Sequence, residues 1–157
     1  THYRETAAPR IPEALAASKQ SASGRLGMIE NLLNTAFRFI GVPYRSGQSG
    51  PNGFDCSGFT SYVYRQHNLT LTRSSRSQYT EGAPVAGIAD MRKGDLVFFG
   101  GRGGGSRVGH VGIVTEVNSA NGSFKFIHAS TSSGVRVDNS TDPYFSSRYV
   151  GARHIIQ

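Results

Sequence analysis

The stretch Gly53–Asn68, "GFDCSGFTSYVYRQHN", decides the reading of this chain. It holds Cys56, the only cysteine. Asp55 stands just before it, a residue type favoured at helix N-caps because its carboxylate accepts from unpaired backbone N–H groups. Phe59, Tyr62, Val63 and Gln66 then line one face at helical spacing. The pattern predicts a helix whose first turn carries the thiol. Unpaired N–H groups and the positive end of the macrodipole favour thiolate there. That effect is worth only about 0.3–1 kcal/mol, less than about one pKa unit. Cysteines paired with an imidazolium fall to about 3–4. A strong resting thiolate therefore requires a histidine, and the two titrations would be coupled.

Five histidines are available. His2 lies near the start. His67 lies about 16 Å along the same helix axis, out of reach of the thiol. His154 sits in a strand-like segment near the end and stays open as a candidate. His110 in "GHVGIV" shares a strand face with Gly112 and Val114, and His128 in "FKFIHAS" shares one with Phe124 and Phe126. If these strands pair, one imidazole can take the thiol proton and the other can orient it. Singly, each residue has a plainer reading: a small core cysteine, or half-buried strand histidines.

Upstream, apolar residues from Leu26 to Ile40 follow helical spacing up to Gly41 and Pro43. "YRSGQSGPNG" (Tyr44–Gly53) is turn-rich, and a short helix is expected within Arg73–Gly82. Residues 1–24, rich in Ala, Ser and Pro, read as a tail or linker before a domain at 25–157. Downstream, Gly94–Gly100, Val108–Val117, Ser123–Ser130, Gly134–Asp138 and Tyr149–Ile156 read as strands, and Asn121-Gly122 suits a hairpin. Helices first and strands after predict an α+β fold, with the N-terminal helices packed on a C-terminal antiparallel sheet.

Composition bounds the rest. The 157 residues fit one domain, large enough for a core without staples. The net charge is +7, but 14 of the 17 basic residues are Arg scattered along the chain, so nucleic-acid binding is not expected. No apolar run approaches the ~18 residues of a membrane span. The chain starts at Thr1, so a removed leader or lipid anchor stays open.

The motifs together are specific. "YRSGQSGPNGFDCSGF", "TRSSRSQ", "GDLVFF", "GHVGIV" and "FIHAS" follow one another in the order of the NlpC/P60 cysteine peptidases, which the chain closely resembles from about Leu32 to Ile155. The resemblance implies a papain-like α+β fold and hydrolysis of amide bonds in peptidoglycan stem peptides. The usual bond joins the γ-carboxyl of D-glutamate to a diamino acid. It also implies Cys56 as nucleophile, His110 as base and His128 as the orienting third residue. Tyr44 would lie beside the nucleophile and assist the oxyanion. Asp55, Ser57 and Arg73 would bind substrate. No metal or cofactor is implied. An exported, monomeric protein of the cell envelope or periplasm, secreted or lipid-anchored, is the expectation. Gln48 and Thr72 depart from the family pattern, where Gly and Pro are common. Gly100–Arg107 ("GGRGGGSR") is a longer, Gly-rich connection, expected as a cleft rim. Three other readings compete: an amidase or acyltransferase with the same catalytic residues, a non-catalytic wall-binding module, and a Cys/His/His zinc site.

Overall fold

The computed structural model describes residues 13–101 and 104–157. Helix α1 (Glu13–Phe37) is followed by α2 (Cys56–Arg65) and the short α3 (Ser75–Gln78). Strands β1 (Ala83–Pro84), β2 (Leu96–Gly101), β3 (Gly104–Asn118), β4 (Ser123–Ser130), β5 (Gly134–Asn139) and β6 (Tyr149–His154) form one antiparallel sheet. Its order is β1-β6-β2-β3-β4-β5, with a single turn of helix, α4 (Pro143–Ser146), before β6. The α+β architecture expected from the sequence is the one observed.

Both sheet faces are covered, which explains why "LVFF" of β2 is apolar without alternation. On the helix side, Ile29, Leu32, Leu33 and Ala36 of α1 and Phe59 and Val63 of α2 pack on Leu96, Phe98, Val111, Ile113 and Ile127. On the other side, Val97, Phe99, Val114, Phe124 and Phe126 form a second cluster, closed by Phe145 and Tyr149. The two histidine strands lie at the centre of this sheet and next to it, so their backbones are held rigidly.

Three expectations are corrected. The first helix begins at Glu13, inside the stretch read as a tail, because alanine-rich sequence of low hydrophobicity still has high helix propensity. It also ends earlier, at Phe37: Leu26, Phe37 and Ile40 are exposed, and among the described side chains its buried apolar stripe is Ile29-Leu32-Leu33-Ala36. Residues 1–12 lie outside the described residues. The Gly-rich connection is strand over most of its length, while its Gly100 and Gly101 do border a cavity beside His110 and His128, as a cleft rim would. β2 continues to Gly101 and β3 starts at Gly104, with Gly101 paired to Gly104. Glycine serves here through close approach: a Cβ on Gly109 would stand 2.5 Å from the Gly101 Cα.

A buried polar clamp ties α3 to the start of α2. Gln78 is fully buried. Its Oε1 accepts from Thr60 Oγ1 (2.7 Å), and its Nε2 donates to the carbonyls of Ser57 (3.2 Å) and Thr72 (2.8 Å) and to Ser61 Oγ (3.1 Å). Burying four partners is tolerable only while each is bonded. Gln78→Ala should therefore lower unfolding free energy by about 2–4 kcal/mol in denaturant titration. A loss under about 0.5 kcal/mol would show that water replaces the clamp.

Candidate active site

Cys56 opens α2. Asp55 caps the helix in extended backbone geometry, and its Oδ1 accepts from Gly58 N at 2.7 Å. Gly58 has no room for a side chain, since a Cβ there would run into the Gln48 carbonyl oxygen. The preceding loop folds back onto the helix start. Tyr44 bridges to Phe54, Arg45 N donates to Phe54 O (2.9 Å), and Asp55 N donates to Gln48 O (2.9 Å). This fold-back brings the Tyr44 phenol within electrostatic reach of Cys56. Burial, then Cys56 and Asp55, raise the phenol's pKa, while Arg73 lowers it.

On the flank of Cys56, Arg73 reaches across from the segment before α3. Its Nη1 donates to Ser57 Oγ (2.7 Å) and its Nη2 to Asp55 Oδ2 (2.9 Å). Asp55 Oδ2 also accepts from Gly47 N at 3.1 Å. One carboxylate thus caps the helix, holds the loop and orients a half-exposed guanidinium.

The sheet supplies the bases. His110 of β3 and His128 of β4 meet edge to face, with Nε2 of His110 and Nδ1 of His128 2.7 Å apart. Because those nitrogens are bonded to each other, they do not converge on a shared ion, which counts against the zinc reading. His128 Nε2 lies 2.7 Å from Asp138 Oδ2 on β5, whose carboxylate also pairs with Arg136 Nε at 3.1 Å. Phe126 is paired with Asp138, and His128 with Arg136, so all four side chains share one sheet face. Sequence reading missed Asp138; its signal was the carboxylate in "GVRVD", on the strand that follows the His128 strand by a tight turn.

His154, left open by the sequence, is drawn elsewhere. Its Nδ1 bonds the buried Asp95 Oδ1 at 2.7 Å, at the far end of the sheet beside β1. His67 bonds Thr35 Oγ1 at 2.8 Å.

Cys56 is half-buried. Backbone N–H groups of Val111, which follows His110, and of Ser57 and Cys56 itself lower the thiol's pKa. Burial and then the Asp55 carboxylate outweigh them and raise it. Desolvation, then the neighbouring His128, push His110 down to about 3, and Asp138 acts in the opposite sense. Desolvation, then Arg136, take His128 to about 3 as well. Among the described residues no hydrogen bond joins the Cys56 and His110 side chains. Desolvation therefore works against a charged sulfur and a charged imidazole alike: burial, invisible in the local motif, outweighs the helix end at Cys56.

A cavity of about 540 Å³ opens on the histidine side, bounded by His110, His128, Ser132, Arg136, Tyr144 and Phe145. Polar groups therefore flank the site on two sides, the Tyr44-Asp55-Ser57-Arg73 cluster near the sulfur and this cavity beside the rings.

The chain is similar to known proteins. A sequence profile of the NlpC/P60 family matches residues 41–154. The murein DD-endopeptidase MepS/murein LD-carboxypeptidase of Escherichia coli (strain K12) is 42% identical over 117 residues, 74% of this chain and 57% of that protein. A gamma-D-glutamyl-L-lysine dipeptidyl-peptidase of Bacillus cereus is 33% identical over 128 residues, 81% of this chain and 36% of that protein. The chain thus spans only part of these relatives' lengths. Among solved structures, an NlpC/P60 family protein from Bacillus cereus superposes with a TM-score of 0.72 at 32% identity, over 82% of this chain and 40% of that one. The NlpC/p60 domain of the peptidoglycan hydrolase SagA gives a TM-score of 0.64 at 30% identity, over 80% of this chain and 97% of that one. On its motifs, its α+β fold and this match across most of its length, the chain belongs to the NlpC/P60 family.

Proposed function

We propose that the protein is a cysteine endopeptidase of the bacterial cell envelope that hydrolyses amide bonds in peptidoglycan stem peptides, with the γ-D-glutamyl–diamino acid bond as its target. The observation that carries this reading is a cysteine at a helix N-terminus beside a strand-borne pair of hydrogen-bonded histidines.

As substrate enters and excludes water, the Cys56 proton passes to Nδ1 of His110, the nitrogen not engaged by His128. The sulfur attacks the carbonyl carbon. The oxyanion accepts from the Cys56 backbone N–H and the Tyr44 hydroxyl. His110 returns the proton to the leaving nitrogen, which departs as amine and leaves a thioester. Water, deprotonated by His110, then frees the acid and restores the thiol. The leaving group must lie beside His110, toward the cavity. The acyl portion lies toward Asp55, Ser57 and Arg73, whose charges suit the polar ends of a short peptide.

The second reading, a cut at a D,D cross-link, is favoured by the 42% identity to a murein DD-endopeptidase. Mass spectrometry of digests of defined muropeptides separates the two. The proposed bond leaves products ending in D-glutamate. The cross-link cut leaves intact stems separated from one another. Turnover of N-acyl amides with no muropeptide cleavage would favour the amidase alternative instead.

A further inference from the structure

The two histidines do not end the hydrogen-bonded array. Asp138 on β5 presents Oδ2 to His128 Nε2 at 2.7 Å and is largely buried, with a side-chain exposure of 15%. The carboxylate can only accept, so Nε2 of His128 carries the proton and Nδ1 is left with a lone pair. That lone pair faces His110 Nε2 at 2.7 Å, which must therefore be the donor. His110 then has one basic nitrogen left, Nδ1. A single acceptor at the end of the chain thus sets both tautomers.

We propose that Asp138 is a positioning residue: through His128 it fixes His110 with Nδ1 free to take the Cys56 proton, and its charge stabilises the imidazolium that results. This rests on the peptidase reading only for its consequence in turnover; the effect on the thiol stands without any substrate. When Cys56 gives its proton to His110 Nδ1, the new cation donates through Nε2 to His128. His128 stays neutral, and Asp138 gains no proton. The groups facing Asp138 are His128 from β4, Arg136 from its own strand, His110 from β3 and Asp142 at the start of α4. Burial raises the pKa of Asp138 and Asp142 adds to that, while the charge and hydrogen bond of Arg136, and then His110, favour the carboxylate. Arg136 is itself half-exposed, so it supplies charge balance, and among the described residues His128 is the buried donor to Asp138.

The test compares Asp138→Asn, Asp138→Ala and Asp138→Glu with the wild type. Iodoacetamide alkylation of Cys56 is followed from about pH 5 to about pH 10, with no substrate present. Turnover of the cleaved muropeptide and thermal melts are measured alongside. Below the thiol's own titration, iodoacetamide captures the thiolate–imidazolium form in which Cys56 has passed its proton to His110, and removing the negative charge makes that form rarer. Alkylation of Asp138→Asn near neutral pH should therefore be about tenfold slower, the equivalent of one pKa unit. By analogy with outer-shell partners of metal-bound histidines, kcat should fall about 10- to 100-fold. KM should stay within about twofold, since substrate is not touched. Asp138→Glu should recover part of both losses.

A folded Asp138→Asn with a wild-type alkylation curve and kcat would overturn the proposal. So would a loss of kcat that follows the melting temperature while the alkylation curve stays in place. If Asp138→Ala does not fold, Asp138→Asn still decides the role of the charge: its amide oxygen accepts from His128 and keeps the tautomers, so a change in its alkylation reports the lost charge alone. If the wild type cleaves no muropeptide, the peptidase reading fails, and the alkylation curves still decide the role of Asp138.

Discussion

Cys56→Ala should abolish release of stem-peptide fragments from peptidoglycan while leaving the chain folded. The sulfur is the strongest nucleophile at the start of α2, since the neighbouring Ser57 hydroxyl is bonded by Arg73, and this is the chain's sole cysteine. Loss of a nucleophile that works as a unit with its base costs about 10⁶ in kcat in the best-studied hydrolases. The fold should survive because the helix start does not depend on the thiol. Its cap is Asp55, bonded to Gly58 N at 2.7 Å, and its anchor is the buried Gln78 clamp. Cys56 is also only half-buried, so truncation opens a small, solvent-connected space instead of a sealed cavity. The melting temperature should stay within a few degrees of wild type, about the shift that ~1 kcal/mol gives a domain of this size. Fragments released by a folded Cys56→Ala protein would remove the thiol from the mechanism and with it the proposed function. Cys56→Ser gives the same result for a different reason. A hydroxyl keeps the shape but is far harder to deprotonate, and imidazoles depressed to about 3 are weak bases toward it.

The parts of this molecule that could be read from its sequence are those fixed by short-range physics. Asp55 before Cys56 announces a capped helix, and the cap is there. Strand alternation puts each histidine on a defined face, but it is the register shift between Val114 and Glu116 that brings His110 onto the same face as His128; without it the two rings would lie on opposite sides of the sheet. What stayed hidden depends on burial and on neighbours across the sheet. The charge state of the site belongs to this class: a helix end favours thiolate, yet desolvation raises Cys56 and lowers both histidines. Asp138 belongs to it too, since a carboxylate in "GVRVD" looks like an ordinary solvent-facing strand residue until β5 is placed against β4. Gln78 was visible only as part of a motif; its work is to satisfy buried groups of α2, which no local pattern encodes. The glycines of Gly100–Arg107 read as a connection between strands because glycine usually punctuates. Here they let two strands approach closely through a pair of register shifts.

His110→Ala should cost about 10⁴-fold or more in kcat/KM, nearly as much as loss of the sulfur. The ring has two duties in the proposed reaction, to receive the thiol proton and to give it to the leaving nitrogen, and His128 can perform neither directly. Its Nδ1 is turned to His110 and its Nε2 to Asp138, so no nitrogen of His128 is free to face the sulfur. The pH dependence sharpens the test. An imidazole with the ordinary pKa near 6.5 would give an acid limb in kcat/KM close to that value. Desolvation and the neighbouring ring put His110 at about 3, so it stays neutral and able to accept a proton well below pH 6. The sign is fixed: a lowered pKa moves the loss of activity to more acidic pH. The wild-type protein should therefore keep most of its kcat/KM between about pH 5 and about pH 7, and fall only as the medium approaches the histidine's own range. An acid limb at 6–7 that disappears in His110→Ala would mean the ring is far better solvated than its surroundings imply. Truncation also leaves a ring-sized gap beside a cavity of about 540 Å³, open to small molecules. Added imidazole should therefore restore part of the rate of His110→Ala and none of the rate of Cys56→Ala. Rescue of neither would indicate that a free ring cannot be oriented there without the strand that carries it, which is the function assigned to the hydrogen-bonded chain running through His128 to Asp138.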